Sequence, residues 1–283
     1  MSLPLPTSLT PSKVSSFKDC ALAFRFSAID RLPEPASAAA YKGTLVHRAL
    51  QLLFWDEPAG SRSVAAAMAK LEQAWAEAQD DGEFVELALS ADDAVEFRAD
   101  AELLVRRYFE LEDPDGVQVV GTELRLEVEI GSLKLRGIID RLELDGNGDL
   151  VVTDYKTGRS PGANFEQSRM GGVHFYAFLC EQVLGVRPVR IQLLHLREPV
   201  AISMVPSDQS IRGLQQRTKA IWSAVERACE TDSFKPKPSR LCDWCSFKAY
   251  CPAFGGDPQA AVDVVAARSV EPVVARPHLS VAV

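Results

Sequence analysis

The stretch Gly137-Ile138-Ile139-Asp140-Arg141, followed after a turn by Leu150-Val151-Val152-Thr153-Asp154-Tyr155-Lys156-Thr157-Gly158, constrains this chain more than any other. The apolar run ahead of each acid reads as a buried strand, and Asp145-Gly146-Asn147-Gly148-Asp149 between them is a strong hairpin turn. Asp154 and Lys156 lie two residues apart on a strand, so both side chains leave the same face. The hairpin sets Asp140 on the neighbouring strand. Two acids at adjacent strand ends can share a hard divalent cation through oxygen ligands, and a lysine beside them can orient a water or stabilise charge building on a phosphoryl group. Taken alone, the hairpin also admits a plainer reading, with turn-capping acids and a solvated lysine.

Upstream, Gly43-Thr44-Leu45-Val46-His47 opens an amphipathic helical pattern, where a lone histidine is commonly a packing residue. Downstream, His174-Phe175-Tyr176-Ala177-Phe178 sits in another helical stretch. The ordered set, a helical Gly-x-x-x-His, then Gly-x-x-Asp-Arg, then Asp-Tyr-Lys-Thr-Gly, then the tyrosine helix, resembles the RecB-like branch of the PD-(D/E)XK nuclease superfamily over roughly residues 8–254. That resemblance implies an α/β, restriction-endonuclease-like core with a mixed central sheet flanked by helices. It casts Lys156, Asp140 and Asp154 as catalytic residues. It also makes His47, Asp140, Asp154 and the main-chain carbonyl of Tyr155 ligands of Mg²⁺ or Mn²⁺, with manganese favoured somewhat because imidazole is softer than carboxylate. Glu123, Arg141 and Tyr176 fall at auxiliary positions. One departure is visible: the family often has a glutamine four residues before the tyrosine, where this chain has Gly172, and Gln167 is out of register.

Cysteine spacing is the second strong signal. Cys242-Asp243-Trp244-Cys245 and Cys251-Pro252 give Cys-x2-Cys-x5-Cys, a thiolate set that suits zinc or iron–sulfur alike. The resemblance supplies Cys20 as the fourth ligand, one N-terminal cysteine with three C-terminal ones, and a [4Fe–4S] cluster as the occupant. By analogy with a disulfide, closing so long a loop restricts the unfolded chain by about 5 kcal/mol. Cys180 and Cys229 lie in apolar helical patterns and read as unligated core thiols.

With 283 residues, 47% of them apolar, the chain can bury a substantial core, and residues 1–254 read as one enlarged domain with a helical insertion over about 60–112. The N-terminal residues lack a basic segment followed by an apolar run, and three cysteines in a metal-type cluster suit a reducing compartment, so a cytoplasmic protein is expected. A net charge of −8 argues against a polyanionic partner only on average. Acids concentrate between Glu72 and Glu112, whereas Arg212, Arg217, Lys219, Arg227, Lys235, Lys237, Arg240 and Lys248 lead into the cysteine motif, interleaved with Trp222, Phe234, Trp244, Phe247 and Tyr250. Those aromatics either stack on a single strand or pack around the cysteines.

Along the chain, Ser8 or Thr10 caps a first helix that starts at Pro11 and carries Phe17 and Cys20. Helices are expected over 42–55, 63–79, 91–111, 164–184 and from Ser207 or Asp208 to about Cys229, and strands over 117–156 (three), 189–196 and 200–205. Residues 255–283 read as a disordered tail beginning at Gly255-Gly256. No Walker-type loop is present, so the chain carries no helicase motor of that kind. The resemblance therefore implies a free-standing DNA exonuclease, acting in repair or recombination on single-stranded ends. The alternatives are an end-processing subunit dependent on a helicase or a CRISPR-adaptation partner, and a non-catalytic DNA-binding iron–sulfur module. A decayed module would be expected to lose one of His47, Asp140, Asp154 or Lys156, and all four are present.

Overall fold

The computed structural model describes residues 2–159 and 163–262, the side chains of 163–171 excepted. In chain order the helices are α1 (Pro11–Asp19), α2 (Ala21–Phe24), α3 (Ala38–Asp56), α4 (Val64–Ala78), α5 (Gly82–Val85), α6 (Ala91–Tyr108), α7 (Ala163–Leu184) and α8 (Asp208–Thr231). The strands are β1 (Gln118–Ile130), β2 (Leu133–Leu144), β3 (Leu150–Lys156), β4 (Arg190–His195) and β5 (Val200–Met204). Contacts gather the chain into two compact units, one comprising Thr7–Ser12 and Ala36–Trp222, the other Met1–Pro6, Lys13–Pro35 and the chain from Ser223 on. The single domain read over 1–254 spans both. Among the described residues no helix is long and apolar enough to cross a membrane.

The larger unit is built on a five-stranded mixed sheet in the order β1-β2-β3-β4-β5, antiparallel except for the parallel β3–β4 pair. Parallel strands need a long crossover, and α7 supplies it. The turn between β2 and β3 closes because the Asp145 carboxylate accepts the amides of Asn147 (2.8 Å) and Asp149 (3.0 Å), while Gly148 takes φ +83°. Helices start where short polar side chains satisfy orphan amides: Ser37, Ser63 and Ser90 each accept an N–H three residues on. The Ser37 cap moves the histidine helix four residues upstream of its expected start. The apolar faces of α3, α4 and α6 pack together with Tyr155, Leu194 and Leu196 of the sheet.

Two glycines of the sequence motifs mark close approaches. A Cβ at Gly137 would lie 2.7 Å from Leu179 Cδ1 and 3.2 Å from the Tyr176 ring, so β2 and α7 approach where a side chain would intervene. A Cβ at Gly43 would lie 3.0 Å from Thr157 Oγ1, which brings α3 against the end of β3.

Arg141, expected as an auxiliary or sheet residue, takes the sheet role: it is fully buried and, one residue from Asp140 on β2, leaves the strand on the opposite side from that acid. Its guanidinium pairs with Glu112 and Glu143 and donates to the hydroxyls of Tyr155 (3.0 Å), Tyr108 (3.1 Å) and Thr153 (3.2 Å), with the Phe54 ring 4.7 Å away. A guanidinium can serve so many acceptors because its five N–H groups form a fixed planar fork.

In the smaller unit, Cys20 is not carried on the first helix as expected; it stands in extended conformation (φ −159°, ψ 111°) at the break between α1 and α2. A π-turn over Arg25–Ile29 follows, with Phe26 packed on Phe247 (centroids 5.6 Å) and Tyr250 (6.1 Å). Gly255 and Gly256 close the cysteine segment rather than begin a tail. Gly255 takes φ +81°, the Gly256 amide donates to the Cys251 carbonyl (2.9 Å), and a Cβ at Gly256 would lie 2.2 Å from the Ala249 carbonyl oxygen. Residues 258–262 then form a helical turn, with Asp257 capping the Gln259 amide. Of the tail expected over 255–283, residues 263–283 lie outside the described residues.

Removing Arg141 leaves the buried Glu143 and the partly buried Glu112 without their cation, a change that costs about 3–5 kcal/mol. Arg141→Ala should lower the midpoint of thermal unfolding by about 10 °C, and Arg141→Lys, which keeps the charge without the fork, by less. Circular dichroism melts check this; an unchanged midpoint in the alanine variant would refute the structural role.

Candidate active site

The site lies where α3 meets β1, β2 and β3. In α3, Gly43 permits the close approach to Thr157, and one turn further on His47 faces the sheet. Its Nε2 is 3.2 Å from the Tyr155 carbonyl, and its Nδ1 is 3.5 Å from Asp140 Oδ2 and 4.0 Å from Glu123 Oε1. A carbonyl oxygen can only accept, so Nε2 carries the proton. In the neutral ring Nδ1 then presents a lone pair to two carboxylates. Three acceptors facing one another require a proton or a cation between them. His47, Glu123 and Asp140 each offer a ligand atom, all within 4.8 Å of one another, which fits a divalent ion with mixed nitrogen and oxygen donors.

Asp140 is fixed from the neighbouring strand, since its Oδ2 accepts the Tyr155 amide at 2.7 Å. Tyr155 thus meets the site through both main-chain groups, while its hydroxyl is held by Arg141. The Tyr155 carbonyl, expected as a metal ligand, joins the site through His47. Asp154 is buried, and Lys156, projecting from the same face of β3, touches its Oδ2 without the direction of a hydrogen bond. The Tyr176 hydroxyl, from α7, hydrogen-bonds Asp154; burial and then the charges of Asp154 and Asp140 hold the phenol well above its ordinary value. The side chain of Gln167 lies outside the described residues, and Gly172 stands 3.8 Å from Pro11 when given a Cβ, with space to spare.

Glu123 is the residue whose place the sequence undervalued. It was read as auxiliary, yet it stands in the three-residue group. β1 shifts register between Val119 and Gly121, and Glu123 takes φ +49°, a left-handed conformation that non-glycine residues adopt only where the surroundings impose it. Alternating apolar and polar residues give no hint of such a kink.

Crowded charge sets the protonation of the group. Burial, followed by repulsion from Asp140, pushes the Glu123 carboxyl up to about 7. Burial and then Asp140 raise Asp154 as well, against the attraction of Lys156. Burial alone would lower His47, but the hydrogen bond and charge of Asp140, with Glu123 and Asp154 behind it, carry it above its ordinary value.

The four cysteines expected to act together, Cys20, Cys242, Cys245 and Cys251, all belong to the smaller unit. Burial raises the Cys245 thiol, the Phe247 amide opposes this by donating to the sulfur, and the nearby Cys20, Cys242 and Cys251 raise it further. Two more amides point at sulfur, Lys237 N–H to Cys20 Sγ (3.4 Å) and Ser239 N–H to Cys242 Sγ (3.3 Å). Amide donors of this kind stabilise thiolates that hold a metal. Cys180 and Cys229 are buried elsewhere; burial pushes the Cys180 thiol up to about 12, and Cys229 leans on the Pro4 carbonyl at 3.7 Å. Of the aromatics left open between stacking and packing, Trp222, Phe234 and Phe247 are buried, so packing is their role. Arg212 and Arg217 line a polar cavity of about 580 Å³ together with His174.

Cation binding must displace the protons that Glu123 and His47 hold, so affinity for Mn²⁺ should rise with pH. Glu123, pushed up to about 7, and His47, raised above its ordinary value, both hold protons as pH falls and release them as it rises. Calorimetric titration should show at least tenfold weaker binding at about pH 6 than at pH 8. Glu123→Gln should flatten part of that slope. Equal affinity at both pH values would refute the assignment of these two residues as ligands.

Comparison with known proteins gives the arrangement a lineage. Gene 69 protein of Mycobacterium phage L5 is 27% identical over 135 residues, 47% of this chain and 44% of its own. Gene 69 protein of Mycobacterium phage D29 is 26% identical over 145 residues, 50% of each. The chain thus spans about half the length of the curated relatives it matches. A crystal structure from Eubacterium rectale, of a protein described as a candidate exonuclease, superposes with a TM-score of 0.51 at 12% identity, covering 84% of this chain and 86% of that one, a likeness of fold. A profile of the PD-(D/E)XK nuclease superfamily matches residues 8–252, a span that takes in every motif of the site, and the chain belongs to that superfamily.

Proposed function

We propose that this chain is a Mg²⁺- or Mn²⁺-dependent deoxyribonuclease of the RecB-like branch, acting in a reducing, cytoplasmic compartment and digesting DNA from single-stranded ends. The observation that carries the reading is the convergence of His47, Glu123 and Asp140 on one cation-sized space, beside the Asp154–Lys156 pair. The description of the Eubacterium rectale protein as a candidate exonuclease supports an end-dependent mode.

His47, Glu123, Asp140 and Asp154 would hold the divalent cation, which supplies Lewis acidity at the scissile phosphate. The Lys156 ammonium, more exposed than its partner Asp154, donates hydrogen bonds to the attacking water and fixes its approach. Tyr176 and Lys156 together steady Asp154. The Tyr155 main chain keeps His47 and Asp140 in mutual register.

A [4Fe–4S] cluster on Cys20, Cys242, Cys245 and Cys251 is part of the proposal. The amides directed at sulfur favour ligated thiolates.

Asp154→Ala and Lys156→Ala should abolish cleavage of end-labelled linear single strands in Mg²⁺ or Mn²⁺, while the far-ultraviolet dichroism stays that of the parent. Covalently closed circles should survive the parent enzyme. Cleavage by either variant near the parental rate would refute the site, and rapid loss of circles would refute end dependence.

Anaerobically purified protein should be brown and contain iron. Serine at any of the four cysteines should release it and lower thermal stability, whereas Cys180→Ser and Cys229→Ser should retain it. Stoichiometric zinc with no visible absorbance would overturn the cluster and leave the nuclease reading standing.

A further inference from the structure

Trp244 stands between two of the clustered cysteines, Cys242 and Cys245, and is 85% exposed. Its surroundings make that exposure a fixed feature. It ends the 3₁₀ turn Arg240–Trp244, which Ser239 caps through the Leu241 amide (3.2 Å) while the Ser239 amide binds Cys242 Sγ (3.3 Å). Two residues after Cys245, Phe247 is buried against Phe26. The segment is thus pinned from within by Phe247 and by the sulfurs, and the indole faces water. Side chains three apart eclipse on a 3₁₀ turn, so Leu241, 57% exposed, shares the face of Trp244.

The charge around this face selects its partner. Residues 233–254 carry four cations, Lys235, Lys237, Arg240 and Lys248, against one acid, Asp243, in a chain whose net charge is −8. All four cations are exposed. A cationic surface bearing one outward-facing indole on a held backbone suits a polyanion with flat apolar faces, which is what an unpaired nucleic-acid strand presents. An apolar protein groove would accept the indole but gains nothing from the excess of lysine and arginine.

Resting on the nuclease reading above, we propose that Trp244 is a stacking platform on which an unpaired base of the strand docks, with the surrounding lysines and arginines meeting its phosphates. Stacking needs a base, and it displaces no counterions. Loss of the indole should therefore weaken binding by an amount independent of salt and vanish on a strand without bases.

Fluorescence anisotropy of labelled oligothymidylate, with the full-length protein in Ca²⁺ and no Mg²⁺ or Mn²⁺, tests this. Trp244→Ala should weaken binding by about 5- to 150-fold, Trp244→Phe by much less, and the slope of log affinity against log salt should be that of the parent. On an abasic deoxyribose-phosphate strand of equal length, parent and Trp244→Ala should bind alike. Visible absorbance or metal content of the alanine variant verifies that the cysteine segment is intact. Parental affinity in Trp244→Ala, or an equal loss on the abasic strand, would overturn the platform. The two readings separate through a cleavage arm. A parent that digests linear strands with no dependence on Trp244 overturns the platform alone. A parent that binds through Trp244 but fails to cleave in Mg²⁺ or Mn²⁺ overturns the nuclease reading alone.

Discussion

The buried Arg141 guanidinium is the constraint on which the rest of the sheet unit turns. Burying a cation is unfavourable unless every donor finds an acceptor, and here Glu112, Glu143 and three hydroxyls converge on it. Their convergence locks the end of α6, β2 and β3 into one arrangement. Tyr155 is the residue through which this reaches the metal site, since its hydroxyl belongs to the arginine cluster while its amide and carbonyl hold Asp140 and His47. A charge cluster on one side of the sheet thereby sets hydrogen-bond geometry on the other. Such networks make a fold specific more reliably than they make it stable.

The acids themselves are held in a conflict that the fold does not relieve. Glu123 sits in a left-handed conformation opposite Asp140, and Asp154 is buried beside them. The crowding of carboxylates is electrostatic and is eased by positive charge, whereas the backbone strain at Glu123 is steric and is imposed by the surrounding fold.

Much of this was legible in the residues. The hairpin acids, the same-face Asp154–Lys156 pair and the order of elements follow from period and turn chemistry, which act locally. What escaped depends on neighbours distant in the chain. The role of Arg141 depends on Glu112 and Tyr108, contributed by and just after α6, and nothing near position 141 names them. Glu123 owes its place to a kink in β1 that polar and apolar alternation does not encode. The aromatics around the cysteines could be sorted only by burial, which put Phe247 inside and Trp244 outside. The cap and Pro11 extend the first helix through Cys20 on sequence alone, whereas the structure interrupts it at the cysteine itself.

The smaller unit is assembled from segments at both ends of the chain, and the sheet unit, apart from Thr7–Ser12, is continuous from Ala36 to Trp222. During synthesis the sheet unit therefore has nearly all its contacts available once Trp222 has been made, whereas the unit holding the cysteines must wait for Cys251. Cys20 spends that whole interval as an unpaired thiol in a nascent chain. Any group held jointly by Cys20, Cys242, Cys245 and Cys251 can be completed only after Cys251 has been made.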